Sequence, residues 1–328
     1  MTKNDIKGEI CMFKVRIFAI VVCLVTLISV FPVQANAAEV ELKGYTIGIS
    51  DGIYLRYHVE MSESRYNAGG YIRFTKSNGE ITEINISEGR KDANSGYYVY
   101  SCEVAAAEMT ERITAVVYKE NGSAERSFGR YSVREYAEDI LNGSEYTEIA
   151  KEAVKAMLNY GAYAQKYFGN TGNGLANEGI EDNVSELESI EDGVVRFSGD
   201  LSGLNYVSTA LELCSRTAMY HYFTLDAGKS ISDYVFKSGG KEITPTVSEK
   251  NGVVRYCIKI EGITPNNLNK GSSLSVYGAD GVRLVAFTYN PTHYLYLIVT
   301  TVKDNDLLVD LAKAMYLYSE AVYIYSVS

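Results

Sequence analysis

Reactive side chains are sparse in this sequence and sit far apart. Gly48-Ile49-Ser50-Asp51-Gly52 spells the letters of a nucleophile elbow, the sharp turn on which many hydrolases present a serine. That device needs a helix directly after the serine. Here Ile53 to Val59 alternates with the period of a strand, so the sequence predicts a hairpin turn at Ser50-Asp51-Gly52. The histidines are His58, His221 and His293. The first two each follow a tyrosine in strand-like text, which aligns Tyr57-His58 with Tyr220-His221. Imidazole chemistry in both places would call for a carboxylate on the same strand face, yet Glu60, two residues after His58, is answered by Phe223 after His221. The pair reads as hydrogen-bonded structural histidines. His293 falls in the first turn of a predicted helix, where the helix dipole disfavours an imidazolium, and it has no such counterpart.

Metal and thiol chemistry are equally thin. Gly169 to Gly193 holds Glu178, Glu181, Asp182, Glu186, Glu188, Glu191 and Asp192 with no basic residue. It lacks the Asp-x-Asp-x-Asp-Gly spacing of a calcium loop and reads as a solvated acidic linker. Cys11 and Cys23 belong to an N-terminal leader, leaving Cys102, Cys214 and Cys257. Three spaced thiols form no disulfide framework, and Cys102 and Cys257 fall on equivalent strands of two repeats, so buried free cysteine is the expectation. No carboxylate pair, His-Cys cluster or phosphate-cradling glycine loop recurs. The sequence therefore assigns no catalytic, cofactor-binding or metal residue, and no cofactor.

The elements that surround these residues are better defined, because the chain repeats itself. Lys155-Ala156-Met157 and Lys313-Ala314-Met315 lie 158 residues apart in two Tyr- and Ala-rich segments. Ahead of them, Gly79-Glu80-Ile81-Thr82 matches Lys241-Glu242-Ile243-Thr244, and Tyr100-Ser101-Cys102 matches Arg255-Tyr256-Cys257. Asn121-Gly122 and Asp280-Gly281 stand at corresponding places, each a dipeptide that accepts positive φ in a hairpin turn. Ser132-Val133-Arg134-Glu135 is a capping box, and Asn290-Pro291 at the same offset is a cap followed by proline at the first helical position. The repeat predicts a helix over 291–299 despite the strand-like run Tyr294 to Val299. Ala150, Ala153, Met157, Tyr160, Ala164 and Tyr167 make one apolar stripe, repeated 158 residues later by Leu308, Leu311, Met315, Tyr318, Val322 and Tyr325. Each such helix is expected to pack on its own sheet.

The reading is an α+β chain of two duplicated domains, each an antiparallel β-sandwich followed by a C-terminal helix pair. Residues 1–37 are a signal peptide, with Lys14 and Arg16, an apolar run from Ile17 to Val30, and Ala35-Asn36-Ala37 as the cleavage site. Met12, just ahead of the basic pair, is an alternative start to Met1. The first repeat spans 38–168, the acidic linker 169–193 and the second repeat 194–328. Without the leader, which carries four basic and two acidic side chains, the net charge moves from −10 to −12. An acidic surface of that kind repels phosphate backbones and anionic lipid, so neither nucleic acid nor membrane insertion after cleavage is expected. The 28 Tyr and 10 Phe with no Trp suit core edges and recognition surfaces, although the Trp platforms common in sugar-binding modules are missing.

The stretches Tyr131-Ser132-Val133-Arg134-Glu135-Tyr136-Ala137, Lys155 to Phe168 and Leu175-Ala176-Asn177 resemble a tandem module of uncharacterised function found in secreted and cell-surface proteins of Gram-positive gut anaerobes of the Clostridia type. Tyr220 to Asp226 and Leu311 to Tyr318 resemble its second half. The resemblance implies an extracellular context and carries over no site residue. The function expected is a secreted, non-catalytic binding or adhesion module, with an extracellular glycan or a surface protein as partner. Two other readings stay open: a polymer-degrading hydrolase with a site in one copy, and a structural spacer.

Overall fold

The structure, a computed structural model, describes residues 39–170, 172–212 and 217–328. The signal peptide read at 1–37 and Cys214 lie outside the described residues. In chain order the first strands are β1 (Val40–Gly48), β2 (Tyr54–Met61), β3 (Tyr71–Lys76), β4 (Ile81–Asn85), β5 (Arg90–Lys91), β6 (Tyr98–Glu103), β7 (Ile113–Tyr118) and β8 (Ala124–Tyr131), with a short helix α1 (Glu63–Asn67) after β2. They form two four-stranded sheets, ordered β1-β2-β6-β5 and β4-β3-β7-β8. Helices α2 (Val133–Asn142) and α3 (Glu148–Tyr167) follow.

The chain then lays down β9 (Val195–Gly199), β10 (Leu204–Glu212), β11 (Thr217–Leu225), β12 (Tyr234–Ser238), β13 (Lys241–Ile243), β14 (Thr246–Lys250), β15 (Val253–Ile263), β16 (Ser272–Gly278) and β17 (Arg283–Tyr289), and closes with α4 (Pro291–Thr301) and α5 (Asp306–Val327). The later sheets run β10-β11-β15-β14 and β13-β12-β16-β17-β9. Counted from β1 and from β10, the strands sit in the same order, and β9 is an addition at one edge. The architecture is α+β with mostly antiparallel sheets. No helix among the described residues is long and apolar enough to cross a membrane.

Local signals account for the element ends. Ser132 Oγ accepts from the Glu135 amide at 3.1 Å while Glu135 accepts from the Ser132 amide at 3.0 Å, closing the capping box. Asn290 accepts from the Thr292 amide at 2.8 Å ahead of Pro291, and residues 294–299 are helical. Gly122 and Gly281 take φ of +78° and +77°, but Asn121 and Asp280 do not share the left-handed region. Instead their side chains accept from the amides of Ser123 and Val282, each at 3.0 Å. The turns are Asx-braced with only the glycine left-handed, and each hairpin carries a register shift beside its turn.

The chain divides into two compact units. The first gathers the described residues up to 46 with 55–102 and 112–131. Its two sheets meet through Tyr57, whose ring centroid lies 5.0 Å from that of Phe74 and whose hydroxyl donates to the Ile113 carbonyl at 3.4 Å. The second holds 47–54, 103–111 and 132–328, so it includes α2 and α3. Packing thus groups residues differently from the repeat in the text.

Within the second unit, α3 and α5 lie against each other, and Tyr160 stacks on Tyr318 with centroids 5.6 Å apart. The expectation that each closing helix packs on its own sheet is corrected. The chief neighbours of α3 are α5, α2 and the 3-10 turn Ala106–Glu108, and those of α5 are α3, α4 and the 3-10 turn Pro265–Asn267. Gly161 explains the close approach to the first turn: a Cβ there would meet Met109 Sδ at 2.6 Å and the Ala106 carbonyl at 3.1 Å. At the position 158 residues on, Ser319 uses its small hydroxyl to donate to the Pro265 carbonyl at 2.6 Å.

The solvated linker is corrected as well. Most of its carboxylates are exposed, but Asp182 accepts from the Tyr163 hydroxyl at 2.9 Å and the backbone is docked on α3. Asn159 donates to the Glu181 carbonyl at 3.0 Å, Gln165 accepts from the Ala176 amide at 2.8 Å, Asn177 donates to Asn159 at 2.8 Å, and Ala176, Val184 and Ile190 are buried. Three buried apolar contacts and three satisfied polar groups outweigh what composition suggested.

Candidate functional site

A cleft of about 410 Å³ opens in the second unit where several elements end together. They are the turn at 51–54, the start of β11, the end of β15 and the 3-10 turn at 265–267, set against α3 and α5. Ile53, Tyr160, Ile263, Leu268, Met315 and Tyr318 form a buried, largely apolar floor. Asp51, Lys259 and Glu261 stand exposed at the rim, with Tyr54 half-buried beside them and Thr217 and Thr264 adding hydroxyls.

Two local backbone features shape the rim. Met219 pairs with Ile260 while Thr217 pairs with Ile263, so β15 carries one extra residue, a bulge at Glu261-Gly262 with Gly262 at φ +78°. Opposite it, Gly52 holds φ +129°, and a Cβ there would come within 2.8 Å of the Tyr54 ring. The turn is pinned from below: the Tyr318 hydroxyl donates to the Ile49 carbonyl at 2.7 Å. Burial pushes the Tyr318 phenol far above its ordinary pKa, so it remains a neutral donor.

Lys259 Nζ lies 2.9 Å from Glu261 Oε1 and 5.7 Å from the Tyr220 ring centroid. The hydrogen bond that Lys259 donates to Glu261 raises the lysine pKa above its usual value, keeping it an ammonium. The arrangement therefore offers carboxylates that accept, an ammonium that donates, hydroxyls that do both, and a tyrosine ring above an apolar floor. Such a kit suits noncovalent recognition of a small polar molecule. Asp51, which the sequence placed in a hairpin turn, is in that turn between β1 and β2, and no helix follows Ser50. Lys259, Glu261 and Thr217 escaped the sequence reading. The available signal was Gly262, a glycine inside a strand-like run, which marks a bulge.

The histidines are not the equivalents their letters suggest. His221 points between the sheets, its ring centroid 4.9 Å from that of Phe287 on β17, and Thr209 Oγ1 lies 2.7 Å from its Nδ1. His58 follows the inward Tyr57 on β2 and so takes the other face, where the charges of Asp92, Arg56 and Arg90 act on it and Thr46 Oγ1 lies 2.9 Å from its Nε2. A one-residue slip in register exchanges the faces of a strand. Aligning Tyr57-His58 with Tyr220-His221 therefore fails. Burial lowers the pKa of both rings, and that of His221 falls to about 3, so both are neutral hydrogen-bonded structural groups.

His293 meets Asp192 at 2.6 Å, and a Cβ on Gly193 would collide with the His293 amide. The start of α4 thus receives a carboxylate and a close backbone, an arrangement the helix dipole favours. Cys102 and Cys257 are buried cysteines that form no disulfide. Among the described residues no three His, Cys, Asp or Glu side chains are placed to hold a metal ion. No protein-family model matches the chain, and a search of curated proteins finds no similar sequence.

Proposed function

We propose that this chain is a secreted, non-catalytic binding module of an extracellular bacterial protein, built from two fused copies of one β-sandwich with a closing helix pair, and that it takes its ligand in the cleft at the α3–α5 junction. The fusion is supported by the shared strand order of the two sheet sets and by Tyr160 stacking on Tyr318, its counterpart 158 residues on. The observation that carries the binding reading is the rim: mixed donors and acceptors raised over an apolar floor by two positive-φ glycines, Gly52 and Gly262. Bulges are over-represented next to functional sites, where they re-aim a side chain.

Glycan and protein arrays probed with the purified protein, followed by calorimetry on the hits, test it. The expected result is a ligand whose affinity falls on Tyr54→Ala. A broad screen without any ligand overturns it. One observation favours a second reading, an extracellular hydrolase: Asp51 and Glu261 share the cleft, and paired carboxylates serve glycoside cleavage. Turnover of plant or cell-wall polysaccharide, abolished by Asp51→Asn, decides for it.

A further inference from the structure

Resting on the reading of the cleft as a ligand site, we infer that its ligand is an uncharged saccharide, gripped at its hydroxyls by Glu261, Lys259 and Asp51 and covered on a C–H face by the Tyr54 ring.

Charge and polarity at the rim both favour a neutral ligand. The rim carries both signs, with Asp51 and Glu261 against Lys259. A phosphate, sulfate or uronate would meet two carboxylates and a chain whose net charge is −10. A cationic ligand would have to displace Lys259, whose ammonium already holds Glu261 at 2.9 Å. A sugar hydroxyl both donates and accepts, so a ring with adjacent hydroxyls satisfies a carboxylate and an ammonium together without breaking their ion pair. Thr217 adds a hydroxyl of the same dual character, and Thr264, whose hydroxyl donates to Asn266, adds an acceptor. The apolar floor under a polar rim suits a ring whose edges are polar and whose faces are C–H, and tyrosine offers such a face a flat surface. At about 410 Å³ the cleft lies within the size range of small-ligand sites, about 300–1,000 Å³. That favours a short saccharide or a chain end over a long polymer threaded through.

Calorimetry of the purified protein against matched trisaccharides tests the assignment: neutral cellotriose, xylotriose, mannotriose and chitotriose, anionic trigalacturonate, and the cationic glucosamine trimer. At least one neutral trimer is expected to bind, with an affinity that changes less than twofold between low and high salt. Glu261→Gln and Tyr54→Ala should each weaken it at least tenfold. Glu261 is exposed, so an unchanged melting curve for Glu261→Gln separates lost contact from lost fold. Binding confined to the charged trimers, or neutral binding indifferent to both variants, overturns the inference and leaves a binding module standing. A peptide ligand that depends on Glu261 while no sugar binds does the same. Failure of every class of ligand overturns the binding reading itself.

Discussion

At the scale of single residues, the polar groups that matter most for stability are buried ones with a defined partner. His221 is fully buried and neutral, linked through Thr209 to the Tyr206 hydroxyl, and its Nε2 finds no hydrogen-bond partner among the described residues. Its pKa falls from 6.5 to about 3 on folding, chiefly through burial. Below pH 6.5 the unfolded chain takes up the proton and the folded one does not, so the contribution is intact above pH 6.5 and is lost as pH falls towards about 3. The loss approaches about 1.4 kcal/mol per pH unit within that window. Urea unfolding at a series of pH values should show the wild-type slope flattened in His221→Gln; equal slopes would place the protonation elsewhere. A second buried pair is Arg65 with Glu125 at 2.6 Å, in which Arg65 also donates to the Gly69 carbonyl at 2.8 Å. Glu125→Gln leaves the guanidinium without its countercharge and is expected to destabilise the protein by about 3 kcal/mol, read from the urea midpoint. Sequence gave no hint of this pair, because 60 positions separate the partners. The histidines show the opposite failure: the letters aligned, and the pleat placed them on different faces.

Elements were more legible than residues where a local rule sets them. Ser132 with Glu135 and Asn290 with Pro291 mark helix starts through groups a few positions apart, and both starts are where the text puts them. For 294–299, the repeat outweighed strand propensity because Leu295 and Ile298 are buried at helical spacing. Partners of an element were much less legible. The apolar stripe of α3 was visible, but the stripe alone does not say that it meets α5 and the turn at 106–108. Gly161 reports that contact, and Gly161→Val is expected to cost about 2 kcal/mol as the turn is pushed away, measured as a fall in the unfolding midpoint. The acidic segment misled for a related reason: its mostly exposed carboxylates dominate its composition, while Ala176, Val184 and Ile190 decide its position. Asn159→Leu would strand the Glu181 carbonyl and the Asn177 amide. A loss of about 2 kcal/mol is expected, together with faster proteolytic nicking within 172–190; unchanged resistance would show that the apolar anchors suffice.

For the molecule as a whole, repeated wording in the sequence and a shared strand order in the two sheet sets made an architecture legible before a site. Repeated text such as Lys-Ala-Met reflects packing, here Met157 and Met315 buried on facing helices. The cleft draws on segments that share no motif: the turn at 51–54, the start of β11 and the bulged end of β15. No local pattern joins Asp51 to Lys259 and Glu261, so only the folded chain brings them together. Methionine serves as a reporter at that junction, since Met315 lines the cleft floor and Met61 ends β2 in the first unit. Methyl spectra of protein labelled at methionine, recorded while a neutral trisaccharide is added, address the claim directly. The account predicts a saturable shift of the Met315 methyl with Met61 unmoved. A bound sugar that leaves Met315 in place would contradict it.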